Sequence, residues 1–255
     1  MDKTREKEFL DNKADTYANG LVSKMAKDSY LLKYRPYIEN KENVLEMGCS
    51  DGYSSIKISK MVKNLDVVDG SKKMIALLDE SIKKNNIHNI TPIYSLFEDY
   101  TPNKKYDAIC CSFVLEHVAE PVKILKIAHN LLKENGVLAV AVPNAGALSR
   151  RMAVSMGLMK NLYDLTENDL RHGHRRVYDI NLLEADVKKT GFSIEKKGGV
   201  FLKQFADFQL ESMIKHNIIG ESQIIGMQKM GDEFPELSGS IYFILKKSDP
   251  KTIKK

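Results

Sequence analysis

The stretch Val44-Leu45-Glu46-Met47-Gly48-Cys49-Ser50-Asp51-Gly52 holds the first residues whose types and spacing suggest chemistry. Glycine lets a backbone turn tightly and come close to a ligand. The stretch joins an apolar run to a run of helical character, the context in which a glycine loop carries meaning. The next apolar run ends in Asp69, followed by Gly70 and Ser71. At the carboxyl end of a neighbouring strand, such an acid can accept two hydrogen bonds from a ribose diol. A dinucleotide fingerprint requires G-x-G-x-x-G, but Ser50 stands at the second glycine position and Tyr53 at the third. Nicotinamide and flavin dinucleotides are therefore disfavoured.

A second group of reactive types lies further on. His117 follows an apolar run and suits a general base that takes a hydroxyl proton near neutral pH, or a contact to a cofactor or loop. His172, His174, Arg175, Arg176 and Tyr178 form the densest polar cluster of the chain. Five of the seven arginines (Arg150, Arg151, Arg171, Arg175, Arg176) fall between positions 150 and 176, in a protein that otherwise uses lysine. Guanidinium pairs bidentately with phosphate and carboxylate, whereas ammonium acts as a point charge. The window therefore reads as a grip on an anionic acceptor, the alternative being a solvated basic loop. Asn144, at the end of VAVPN, is an acceptor-contact candidate. His88, His129 and His216 read as bland.

These residues need a scaffold. Residues 43–144 alternate strand and helix about four times: NVLEMG, LDVVDG, TPIYSLF, YDAICCS and VLAVAVPN as strands, with helical runs between them. That alternation predicts a parallel, doubly wound sheet. Ser71 reads as an N-cap, Pro121 as a first-turn residue, and Gly136 and Gly191 as glycines closing helices. Residues 1–40 read as an amphipathic helical cap ending near Pro36, 145–180 as irregular, 203–230 as helical and Met-rich, and GSIYFILKK as a closing strand.

Glu46, two residues ahead of Gly48, suits the ammonium of an S-adenosylmethionine (SAM) methionyl group, directly or through water. Residues 40–145 then resemble the class I SAM-dependent methyltransferases, particularly the bacterial group related to ubiquinone-pathway and sugar methyltransferases. VLEMGCSDG resembles their first motif and VVDGSKKMI the second-strand motif; LFEDY resembles the adenine-lining segment and FVLEHVAEPVKIL the fourth-strand motif. GHRRVYD, then a helix and TGF, resembles a downstream pattern of many members. Ser50 departs from the glycine usual in that family.

The resemblance implies a Rossmann-like sheet of seven strands, mostly parallel with an antiparallel last strand, and helices on both faces. It implies SAM as cofactor and S-adenosylhomocysteine as product. Glu46, Gly48, Cys49, Ser50, Gly52, Asp69, Gly70, Ser71, Phe97, Glu98, Ser112 and Phe113 would bind the cofactor. His117 or His174 would be the base, and Asn144, Arg150, His172, Arg175, Arg176, Tyr178 and a capping Tyr17 would meet the acceptor. The expected organisation is a single domain: cap 1–40, cofactor core 41–145, acceptor insertion 146–180, and 181–248 completing the sheet with a helical lid.

Composition narrows the classes. At 255 residues, 43% hydrophobic and 29% charged, the chain reads as an ordinary soluble globular protein. No run of eighteen apolar residues suggests a membrane span, and the charged N-terminus lacks the apolar core of a secretory signal. Cys49, Cys110 and Cys111 read as buried, reduced thiols of a cytoplasmic protein, and no Cys/His spacing resembles a zinc site. The net charge of +5 is scattered over lysines, and no RNA-binding module is evident, so no nucleic-acid partner is expected. The expected partner is a small anionic acceptor, with a homodimer left open. The favoured reaction is O-methylation of a sugar, nucleotide-sugar or surface (capsular) polysaccharide. The alternatives are N- or O-methylation of another small metabolite or quinone precursor, and a SAM-binding partner protein without activity.

Overall fold

The computed structural model describes residues 3–14 and 20–247. Tyr17 lies outside the described residues. Seven strands form one sheet: β1 (Asn43–Met47), β2 (Asn64–Asp69), β3 (Ile90–Tyr94), β4 (Tyr106–Ser112), β5 (Leu132–Pro143), β6 (Phe192–Val200) and β7 (Ser240–Lys247). Their order is β3-β2-β1-β4-β5-β7-β6. Strands β1 to β5 pair in parallel, and β7 runs antiparallel between β5 and β6. The chain switches direction between β1 and β4, so the carboxyl ends of the central strands open a crevice there.

Both faces of the sheet are covered, which explains the nearly continuous apolar strands. Val44, Ala108, Cys110 and Ala139 pack into the core on one face, and Leu45, Ile109, Cys111 and Leu138 into the core on the other. The adjacent thiols Cys110 and Cys111 thus enter opposite layers, buried and unpaired.

The helices are α1 (Lys3–Ala14), α2 (Leu21–Ile38), α3 (Tyr53–Ser59), α4 (Lys72–Asn85), α5 (Pro121–Leu131), α6 (Leu148–Ser155), α7 (Glu167–His172), α8 (Ile180–Val187), α9 (Asp207–Lys215) and α10 (Glu221–Glu233). Among the described residues, no helix is long and apolar enough to cross a membrane. Ser71 caps α4 as expected, its hydroxyl accepting from the Met74 N–H.

Two glycine readings need correction. Helix α5 stops at Leu131 and passes directly into β5. Leu132 pairs with Tyr106 and Val137 with Ala108, so the polar residues Lys133 to Gly136 bulge out of the strand rather than closing the helix. Helix α8 ends at Val187 with Lys188 as cap; Gly191, at φ +81°, turns the chain into β6. The stretch expected to be irregular contains α6 and α7, the latter opened by a Thr166–Asp169 capping box and closed by Gly173.

Candidate active site

The glycine loop leaves β1 through three left-handed residues, Gly48 (φ +82°), Ser50 (φ +48°) and Gly52 (φ +79°). A Cβ on Gly48 would lie 2.8 Å from Val114 Cγ2, so the loop closes on the segment following β4 only because position 48 has no side chain. Asp69 ties this loop to the next turn. Its Oδ2 accepts from the Cys49 N–H at 3.0 Å, and its Oδ1 from the Ser71 N–H at 2.8 Å. Glu46 is buried, and its Oε2 accepts from the Ser55 hydroxyl.

These groups line a cleft of about 1290 Å3. It also takes in Cys49, Ser50, Gly70 and Ser71, the Phe97–Glu98 turn after β3, and Ser112 and Phe113 at the end of β4. Gly52 caps α3 without lining the cleft. Phe113 adopts φ +57°, an unusual conformation for a bulky residue, and its N–H donates to Ala141 O at 2.7 Å. Phe113 and Val114 both line the cleft, and Val114 packs against Gly48. From the N-terminal region expected to be a helical cap, α2 adds Lys27 and Tyr30 to the lining, with the Tyr30 hydroxyl 2.6 Å from Ser54 Oγ. Helix α1 lies over the same edge: a Cβ on Gly70 would come 2.6 Å from Leu10 Cδ1.

Burial pushes the Glu46 carboxyl up to about 8, against the opposing pull of the Ser55 hydrogen bond and Lys27. A neutral Glu46 is the form favoured below that pH, whereas an ammonium ligand needs the carboxylate. Cofactor binding at neutral pH is therefore expected to release close to one proton, and affinity to rise from about pH 6 to pH 8. Calorimetry in buffers of different ionisation enthalpy reads this directly. A binding enthalpy independent of buffer at pH 7 would remove Glu46 from the ammonium contact.

The second half of the site is assembled by the loop after α7. The Arg175 N–H donates to Glu116 O at 2.8 Å, bringing His174 against the loop that follows β4. The rings of His117 and His174 meet edge to face with centroids 4.8 Å apart, and His172 lies 6.2 Å from His174. His174 Nδ1 is 3.0 Å from Asp169 Oδ1. Burial holds His117 down to about 3, with His174 adding to the effect. Glu116, absent from the sequence reading, is 0% exposed, and burial pushes its carboxyl up to about 7. The sequence showed no metal-ligand spacing, yet the fold gathers ligand atoms of Glu116, His117 and His174 within 4.8 Å of one another.

Four arginines of the window, Arg150, Arg151, Arg175 and Arg176, bind groups of the chain itself. Arg176 donates to the carbonyls of Leu115, Val118 and Ala119, clamping the loop after β4. Arg150 binds the carbonyls of Leu162 and Asp164 and pairs with Asp169 at 3.1 Å. Arg151 donates to Gly146 O, and Arg175 pairs with Glu6 of α1. Planar guanidinium geometry is indeed required here, but it grips backbone and carboxylates of the chain itself. Arg175, Arg176 and Tyr178 do not line the cleft. Tyr178 is buried, with its hydroxyl on Asp186, and the Asn144 amide is committed to Gly146 and to carbonyls of residues 235–238. Asn144, His172, Arg150 and Arg171 remain in the lining.

The family model of a methyltransferase domain matches residues 21–197. The chain belongs to the class I SAM-dependent methyltransferases. The cleft, its glycine turn and the two acids in its lining, Glu46 and Asp69, fit the cofactor of that class. The ubiquinone biosynthesis O-methyltransferase of Glaesserella parasuis is 30% identical over 123 residues, 44% of this chain and 52% of that one. The malonyl-[acyl-carrier protein] O-methyltransferase 1 of Ilyobacter polytropus is 30% identical over 143 residues, 54% of this chain and 52% of that one. The chain thus spans about half the length of these curated relatives. Magnesium protoporphyrin IX methyltransferase from Synechocystis, solved with bound S-adenosylhomocysteine, shares the fold at a TM-score of 0.63 and 15% identity, over 97% of this chain and 100% of that one.

Proposed function

We propose that this methyltransferase acts on a hydroxyl oxygen of a small acceptor that carries apolar surface. The observation that carries the reading is the pair of imidazoles, His117 and His174, set with Glu116 in the wall of the cofactor cleft. SAM supplies a methyl group already activated on a sulfonium, so a hydroxyl acceptor needs mainly orientation and loss of its proton. Glu46 and Asp69 fix the two polar ends of the cofactor, and the backbone at Gly48 and Ser112 cradles its middle. The cluster of His117, His174 and Glu116 promotes loss of the acceptor proton. Leu158 and Phe208 line the cleft although 71% and 73% exposed, an apolar rim for the body of the acceptor.

The internal commitments of Arg150 and Arg176 remove the main ground for a phosphate or carboxylate handle. They weaken the nucleotide-sugar and capsular-polysaccharide reading relative to a phenol or quinone precursor. The acceptors named for the relatives agree with an oxygen nucleophile, and the N-methyl and non-catalytic alternatives lack a comparable observation. The test offers isotopically methyl-labelled SAM with catechols, sugar nucleotides and malonyl thioesters. Label transferred to a catechol and lost with its methyl ether supports the reading. Transfer only to amines or sugar nucleotides, or none at all to any acceptor class, overturns it.

A further inference from the structure

Two loops from distant parts of the chain meet at one point of the cleft. Glu116 and His117 arrive after β4, and His174 after α7. Their ligand atoms lie within 4.8 Å of one another, close enough to surround a single ion. Glu116 is fully buried, and neither of its carboxylate oxygens has a hydrogen-bond partner among the described residues. An uncompensated buried carboxylate is expensive, and folded proteins retain one where something completes it.

Both imidazoles are held from behind. His174 Nδ1 faces Asp169 Oδ1 at 3.0 Å. Asp169 is itself fixed by Arg150, by the Thr166 N–H at 2.9 Å and by the Thr166 hydroxyl at 2.8 Å. His117 hydrogen-bonds the backbone of Gly173. An imidazole tied at one nitrogen to a carboxylate or a carbonyl presents the other as a ligand, the outer-shell arrangement that orients metal-binding histidines. The Arg175–Glu116 backbone bond and the carbonyl clamp of Arg176 hold the two loops in register, so the donors are prepositioned.

We propose that Glu116, His117 and His174 bind a divalent cation whose remaining positions face the acceptor in the cleft. Two imidazoles and one carboxylate suit a first-row divalent cation such as Zn2+, Mn2+ or Fe2+ better than Ca2+. The proposal rests on the reading of a hydroxyl acceptor and deepens it. A hydroxyl held by the cation becomes more acidic, and its proton leaves to solvent. The oxygen lone pair forms the new carbon–oxygen bond, and the electrons of the broken carbon–sulfur bond stay on the cofactor sulfur. No oxidant or reductant is needed. The histidines then serve as ligands, and no free imidazole base is required.

The test uses the full chain, stripped with a chelator and dialysed, and titrates Zn2+ and Mn2+ alone in a calorimeter, with bound metal counted by elemental analysis. About one cation per chain is expected with micromolar affinity or tighter. Glu116→Gln, His117→Ala and His174→Ala should each weaken binding by about tenfold to a hundredfold or more. SAM binding by the same variants reports that the fold persists. Absence of cation binding in a wild-type chain that binds SAM overturns the site, as does unchanged affinity in a folded Glu116→Gln variant. Since the titration needs no acceptor, a chain that binds the cation but methylates no hydroxyl leaves this site standing and defeats the acceptor reading instead.

Discussion

An Asp69→Ala variant is expected to lose SAM affinity by about 10²-fold or more in a calorimetric titration, while remaining folded. Two losses combine. The carboxylate that would accept from the ribose diol disappears, and each hydrogen bond to a charged acceptor is worth about 1.5–3 kcal/mol. The N–H groups of Cys49 and Ser71, which donate to the two oxygens of Asp69, also lose their common acceptor. The glycine loop and the start of α4 are then no longer tied together. Asp69→Asn should fare little better than alanine, because its amide NH2 must face one of those two N–H donors. Wild-type affinity in either variant would show that the ribose is held elsewhere. Circular dichroism and the melting temperature separate a lost site from a lost fold.

The cofactor half of the site was legible because its constraints are local. A backbone that must turn left-handed at Gly48 and Gly52 needs glycine there, and an acid at the end of β2 is five residues of strand away from its own beginning. Strand–helix alternation places such residues in one crevice without any knowledge of side-chain contacts. The acceptor half depends on loops meeting, and there local reasoning failed in two directions. The arginines between 150 and 176 signalled a demand for planar guanidinium geometry, correctly, but residue type does not say whether the partner is a ligand or the chain's own carbonyls. Nothing in the sequence singles out Glu116; the fold buries it fully and brings the Arg175 N–H onto its backbone carbonyl. The same blindness applies to α2. Lys27 and Tyr30 reach the cleft because α2 packs beside α3, and an amphipathic helix does not announce which cavity its polar edge will meet. At Gly136 the error was one of period: Leu131 and Leu132 continue a helical pattern, yet pairing with Tyr106 draws Leu132 into the sheet.

His174→Gln is expected to lower turnover by about 10²–10⁴-fold while leaving SAM affinity within a few-fold of wild type. The glutamine amide can still face Asp169 and fill much of the volume, so the loop after α7 should keep its place, whereas neither proton transfer nor firm cation ligation survives. Asp169 makes His174 the better candidate for a base, since a carboxylate 3.0 Å from Nδ1 stabilises the imidazolium that forms. His117 hydrogen-bonds the Gly173 backbone. A free base at His174 therefore predicts unequal losses, with His117→Gln much the milder of the two. A cation shared by Glu116, His117 and His174 predicts losses of similar size in both variants, accompanied by loss of metal. Full turnover in His174→Gln would remove the residue from the chemistry altogether and return the loop after α7 to a purely structural part in closing the cleft.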